Sequence, residues 1–215
     1  MGILEKLRPQ PRWKHTDPAV RAAAVYEIGP DETETLHTLA REDAEARVRR
    51  AAVTRVDAAG VLAEVARTDP DDDVRAGAVR GLPGLAAEGD VLAHALDAAQ
   101  QLVALGRTKE LMLVARDSSN PHVRGAVVDL LSDSKALSAV SRQGRDSATR
   151  LRALERLQDG DEILNVALKA EHTDTAVAAL ERLTDVSALT EVSQRARNKV
   201  AGRRARAKVR LMAEA

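Results

Sequence analysis

The chain has 215 residues, 44% of them apolar, but only one Trp (Trp13), one Tyr (Tyr26) and no Phe, so Ala, Val and Leu must fill its core. Side chains that small suit thin helices packed at short distance and suit one large core poorly. Lys plus Arg equals Asp plus Glu at 33 each, which excludes an overall preference for polyanions, and the absence of Cys excludes disulfides, thiol catalysis and Cys-ligated metal centres.

Charge is nonetheless unevenly placed. Residues 1–100 carry 13 basic and 18 acidic side chains, residues 101–194 carry 12 and 14, and residues 195–215 carry 8 and 1. The opening MGILEKLRPQPR lacks the apolar centre of a signal peptide and no run of 18 apolar residues follows, so the expected compartment is the cytoplasm, without a membrane partner.

From residue 17 onward one phrase recurs: a turn with Asp or Asn, a Val or Thr anchor, usually an Arg, and a small residue four positions past the anchor. The anchors are Val20, Val48, Val74, Val123, Thr149 and Thr175, at spacings of 28, 26, 49, 26 and 26. A second phrase precedes it in the pairs Leu36/Leu39, Leu62/Val65, Leu111/Val114, Leu137/Val140, Ile163/Val166 and Leu189/Val192. The second member of each pair stands nine residues before the next anchor in 39→48, 65→74, 114→123, 140→149 and 166→175. Apolar positions at i, i+4, i+5 and i+8 give a helical period, so each unit is two short helices joined by a turn. Asp17-Pro18 and Asn120-Pro121 place a capping side chain before a proline at the first helical position. Helices this short are unstable alone and must stack to bury their single stripe, which predicts an all-α solenoid of about seven two-helix repeats of ~26 residues.

The gap of 49 residues between Val74 and Val123 is close to two periods and predicts a degenerate unit at 83–108. Its long helix spans Val91–Leu105, and Gly81, Pro83, Gly84 and Gly89 break the chain before it, at a kink or hinge. The last segment keeps the register, with Ala201 nine residues after Val192, and forms a basic capping helix over 195–213. Its cations are Arg195, Arg197, Lys199, Arg203, Arg204, Arg206, Lys208 and Arg210, the candidate binding patch. No aromatic residues are interleaved for base stacking, so contact there would be with an acidic partner or a nucleic-acid backbone.

The phrase Asp-Pro-x-Val-Arg-x-x-Ala-Val resembles the second helix of HEAT-type repeats, and the likeness spans about residues 15–210. It implies a right-handed α–α superhelix forming a single domain over 1–215; functions in that class range over scaffolds, lyase-associated proteins and nucleic-acid binders. The stretch Val192–Lys199, with Arg203-Arg204-Ala-Arg206-Ala-Lys208, also resembles segments of bacterial DUF349-domain proteins, which would make this chain the N-terminal portion of a longer protein. The alkylpurine DNA glycosylases of the HEAT-like class imply aromatic residues and an acid on a groove with many phosphate contacts. This chain departs from them: Trp13 precedes the repeats, Tyr26 is the only other aromatic, and the first hundred residues are net acidic.

Arg21, Arg49, Arg75, Arg124 and Arg150 follow their anchors at one repeat position. Each is expected to lay its stem along a neighbouring helix and pair with an Asp of the adjacent turn, such as Asp43, Asp69 or Asp117, forming a structural ladder. The competing expectation is a row of guanidinium groups that follows a phosphate backbone. His15, His37, His94, His122 and His172 show no metal-ligand spacing, although His122 and His172 both fall in turns. Asp69, Asp71, Asp72 and Asp73 lack the glycine and closing glutamate of a calcium loop and read as a solvated acidic turn capping the helix of Val74. No catalytic residue, cofactor or metal is expected, for want of a nucleophile elbow, phosphate loop or metal motif. The expected function is a non-catalytic binding or scaffold module for a protein partner. The alternative is nucleic-acid backbone binding through 195–210 and the repeat arginines, and a third possibility is an architectural spacer.

Overall fold

A computed structural model describes residues 10–88 and 92–214. Among these residues the chain is all-helical, with fourteen α-helices, a few 3-10 turns and no strand. It divides into two compact units, Met1–Leu85 and Ala86–Ala215.

The first unit holds α1 (Pro18–Ala24), α2 (Thr33–Glu42), α3 (Ala46–Val53), α4 (Ala59–Thr68) and most of α5 (Asp72–Glu88). Within it α1 packs on α3, α2 on α3, and α2 on α4. The second unit holds α6 (Leu92–Ala104), α7 (Thr108–Asp117), α8 (Pro121–Leu130), α9 (Ser134–Gln143), α10 (Ser147–Arg156), α11 (Gly160–Lys169), α12 (Thr173–Glu181), α13 (Val186–Arg195) and α14 (Lys199–Ala213). There α7, α9, α11 and α13 pack in series, α8, α10, α12 and α14 do the same, and each odd helix packs on the even helix that follows it. The unit is therefore two rows of helices joined by short turns.

The recurring phrases fill the space between the rows. Val48, Val74, Val123, Thr149, Thr175 and Ala201 are all buried, as are Leu111/Val114, Leu137/Val140, Ile163/Val166 and Leu189/Val192. Because the helices are short, their ends need caps, and at the starts of seven of them one side chain supplies it. Asp17, Asn120, Asp146 and Asn198 accept backbone N–H bonds at the starts of α1, α8, α10 and α14. Asp133, Asp159 and Asp185 do so at α9, α11 and α13. Each such cap stabilises its helix by about 1 kcal/mol.

The expected break at Gly81, Pro83 and Gly84 is corrected by α5, which runs unbroken through all three. Two glycines of this helix answer to close packing. A methyl group at Gly81 would lie 2.8 Å from the buried Leu62 of α4, and one at Gly77 would lie 3.3 Å from Val53 of α3. Gly89 and Val91, the remainder of the expected break and the start of the long helix, lie outside the described residues. The far end of α6 stops where the sequence says it should: Gly106 takes a left-handed φ of 66°, and Arg107 N–H bonds back to the Leu102 carbonyl at 2.8 Å.

Pro83 leaves the Val79 carbonyl without its helical donor. Pro83→Ala restores that bond and is expected to raise the unfolding free energy, by up to about 3 kcal/mol. Urea denaturation checks this; a fall in stability would mean that the proline ring itself is needed in the packing of α5.

Candidate cationic interface

Four of the five repeat arginines face inward, whereas Arg75, its side chain 36% exposed, departs from the expected ladder and reaches no acid of the next turn. Arg49 is 7% exposed and donates to both carboxylate oxygens of Asp69 at 2.7 and 3.0 Å. Its other terminal nitrogen reaches back to the Asp43 and Ala44 carbonyls of its own turn. Arg21 repeats the arrangement, with two 2.8 Å bonds to Asp43 and two bonds to the His15 and Thr16 carbonyls. In the second unit Arg124 bonds Asp146 and the Ser118 and Ser119 carbonyls, while Arg150 bonds Asp174, Thr175 and the Gly144 carbonyl. Each of these guanidinium groups thus closes its own turn and holds the next helical pair. Arg75 makes the backward bond, to the Asp69 carbonyl at 2.6 Å, and pairs with Asp72 three residues before it.

Two expectations are corrected here. Asp117 takes no ladder arginine and pairs with its neighbour Arg116 at 2.6 Å. Asp69 is buried under Arg49, so it is not part of a solvated turn; Asp71 alone accepts the Val74 N–H, at 3.0 Å. The partner moves because the residue at that point of the repeat changes. In α2 and α4 the carboxylate stands just past the helix end, at Asp43 and Asp69. At the same point α9 has Gly144 and α11 has Ala170, and the carboxylate comes instead from the start of the following helix, at Asp146 and Asp174.

A second ladder lies at the other ends of the even helices and was missed from sequence. Arg156 donates to the Leu131 carbonyl at 3.1 Å, Arg182 to the Leu157 carbonyl at 2.6 Å, and Lys208 to the Leu183 carbonyl at 3.4 Å. Donors and acceptors both recur every 26 residues, a signal present in the chain. Charged donors satisfy the open carbonyls of each helix end.

These bonds set the charge states of the carboxylates. Burial alone would push Asp43, Asp69 and Asp146 upward, but the arginine bonds, backbone N–H groups and nearby cations hold all three below the ordinary range. Burial works the same way on Asp174, where the Ser147 hydroxyl, the Thr175 N–H and Arg150 outweigh it and bring the carboxyl to about 2.

The eight cations of the basic segment do not share one helix, as the 195–213 boundary implied. Arg195 ends α13, Arg197 lies in the turn, and α14 begins at Lys199, because Asn198 caps Val200 and Ala201 in register with Asn120. Four of the eight are engaged within the unit. Arg195 pairs with Glu191 at 2.5 Å, Arg197 with Glu171 at 2.6 Å, and Lys208 with Glu181 at 3.3 Å, while Arg206 donates to the Ser193 carbonyl at 3.1 Å. Lys199, Arg203, Arg204 and Arg210 are exposed and have no ion pair or hydrogen-bonded side-chain partner among the described residues.

Two depressions open on this end of the second unit. One, of about 480 Å³, lies between α13 and α14 and is lined by Lys199, Arg203 and Arg206 with no carboxylate. The other, of about 420 Å³, crosses the turns after α9, α11 and α13 and is lined by Arg142, Lys169, His172, Arg195 and Arg197 with the single acid Glu171. His122 is exposed near the start of α8 and does not line this depression with His172. Among the described residues no group of three or more His, Asp or Glu gathers to hold a metal ion, and no helix is long and apolar enough to cross a membrane.

Asp174 gives the ladder a pH signature. Its folded-state pKa lies near 2, below the unfolded value of about 3.9, so its stabilisation is complete above that value and is lost as pH falls through 2. Asp174→Asn should therefore cost roughly 1–2 kcal/mol at pH 6, allowing for solvent screening of its exposed part, and close to nothing at pH 2. Urea midpoints of both proteins across that range test it; a cost independent of pH would remove the charge from the explanation.

No family model, curated protein or solved structure matches the chain.

Proposed function

We propose that the chain is a non-catalytic binding module, each unit a stretch of HEAT-like α-solenoid, which presents the cationic end of its second unit to an acidic protein partner. The observation that carries this is the unmatched charge of α14: Lys199, Arg203, Arg204 and Arg210 stand exposed with no carboxylate partner among the described residues, beside a depression lined by cations. Unmatched cations of this kind steer an anionic partner and set its orientation.

Three features favour an acidic protein over a nucleic-acid backbone. Arg49, Arg124 and Arg150 are buried in the ladder, which removes them from any row of phosphate contacts. Glu171, Glu181 and Glu191 sit among the C-terminal cations and would repel a continuous polyanion, whereas discrete carboxylates can be placed between them. Neither depression is lined by a Phe, Tyr or Trp on which a base could stack.

Fluorescence anisotropy with a Glu-rich peptide and with duplex DNA, from ~50 to ~300 mM salt, tests the proposal. The peptide is expected to bind at low salt, and Lys199→Glu with Arg203→Glu and Arg204→Glu should weaken it by about tenfold or more. Tighter binding of DNA than of the peptide would favour the backbone-binding alternative, and absence of both at the lowest salt would overturn the proposal.

A further inference from the structure

The depression across the turns of α9, α11 and α13 has a different character from the face of α14. Arg142, Lys169 and Arg195 stand two or three residues past Val140, Val166 and Val192, at nearly the same point of three successive odd helices. Packing α9 on α11 and α11 on α13 therefore brings the three to one edge. A cation in the last turn of a helix complements the helix dipole, and that would account for each residue singly. It does not require all three to line a common depression together with His172 and Arg197.

The charge balance inside the depression is one-sided. Its only acid, Glu171, pairs with Arg197 at 2.6 Å, and these two charges cancel within the lining. Glu191, which pairs with Arg195, lies a helical turn back and outside the lining, and the Arg195 side chain is 71% exposed. An ion pair that open is worth little, so this guanidinium can turn to another anion. Arg142 donates only to the Ser138 carbonyl, at a long 3.4 Å, and Lys169 has no side-chain partner among the described residues. Two guanidinium forks and an ammonium group thus face a space of about 420 Å³. A single carboxylate would leave most of that charge unmatched, whereas a compact dianion with three acceptor oxygens would engage all three cations.

We propose that Arg142, Lys169 and Arg195 form a binding site for a phosphate monoester, either a small free phosphate compound or a phosphorylated side chain. The volume leaves room for the group that carries the phosphate. The site uses residues other than Lys199, Arg203 and Arg204, and it stands whether or not an acidic protein docks on α14.

The test is an NMR titration of the full chain with inorganic phosphate, O-phosphoserine, a phosphoserine peptide and its unphosphorylated form, at ~50 mM salt. The three phosphate probes should shift the backbone amides of 169–172 and 195–197, and the unphosphorylated peptide should not. Arg142→Gln with Lys169→Gln should weaken phosphoserine binding by about tenfold or more, while Lys199→Gln with Arg203→Gln should leave it within about twofold. A phosphopeptide that binds at least about tenfold tighter than phosphoserine identifies a phosphorylated chain as the source, and equal affinities identify a small phosphate compound; either supports the site. Absence of shifts at those amides in the unaltered protein would overturn it, as would equal weakening by the two variant pairs, which would mark diffuse surface charge.

Discussion

Arg49 holds its guanidinium between the carbonyls of its own turn and the Asp69 carboxylate of the next, and Arg21, Arg124 and Arg150 repeat the arrangement. Helices of seven to ten residues have little stability of their own. Their apolar stripes consist largely of Ala and Val, which bury modest area per residue. A planar donor group that must meet acceptors on both sides cannot slide. The ladder therefore sets how one helical pair sits on the next, and the Ala–Val packing fills the space that it defines. The second ladder, at Arg156, Arg182 and Lys208, ties each of these even helices to the C-terminal end of the even helix before it.

That structural use of charge also determines what is left for binding. Most arginines that looked like a possible row of phosphate contacts are consumed inside the two units, and half of the basic C-terminal segment is paired there too. Within the basic C-terminal segment the cations that remain, Lys199, Arg203, Arg204 and Arg210, all stand on α14, where the ladder ends. At the repeat position of Arg124 and Arg150, α12 has Ala176 and α14 has Gly202, so no further guanidinium reaches forward from them. Unmatched positive charge and the two depressions lie in that same part of the second unit.

Much of this was legible in the chain. The nine-residue offset located every turn whose anchor it named, and Asp43 and Asp69 were recognisable as ladder partners because they stand at the same point of two successive repeats. Asp146 and Asp174 were hidden by Gly144 and Ala170, which vacate that point and move the carboxylate two and four residues onward. Gly81 was misjudged for a different reason, which Gly77 shares. Glycine is a breaker only when its freedom is used, and in α5 it is its lack of a side chain that matters, against Val53 and Leu62. The boundary at Lys199 could have been placed from Asn198, which holds the register position of Asn120 as a cap. The depression at Arg142, Lys169 and Arg195 could not, because their one-residue drift from the 26-residue period becomes a shared edge only once the helices are packed.

The dependence of stacking on the arginine fork is tested most directly by a double-mutant cycle on Arg49 and Asp69, the pair whose side chains are 8% and 3% exposed. Unfolding free energies of the unaltered chain, Arg49→Ala, Asp69→Ala and the double variant give the coupling between the two groups. A coupling of about 2 kcal/mol or more is expected for a buried, two-bond pair. A value below about 0.5 kcal/mol would contradict the account, leaving the Ala–Val packing alone to hold the repeats in register.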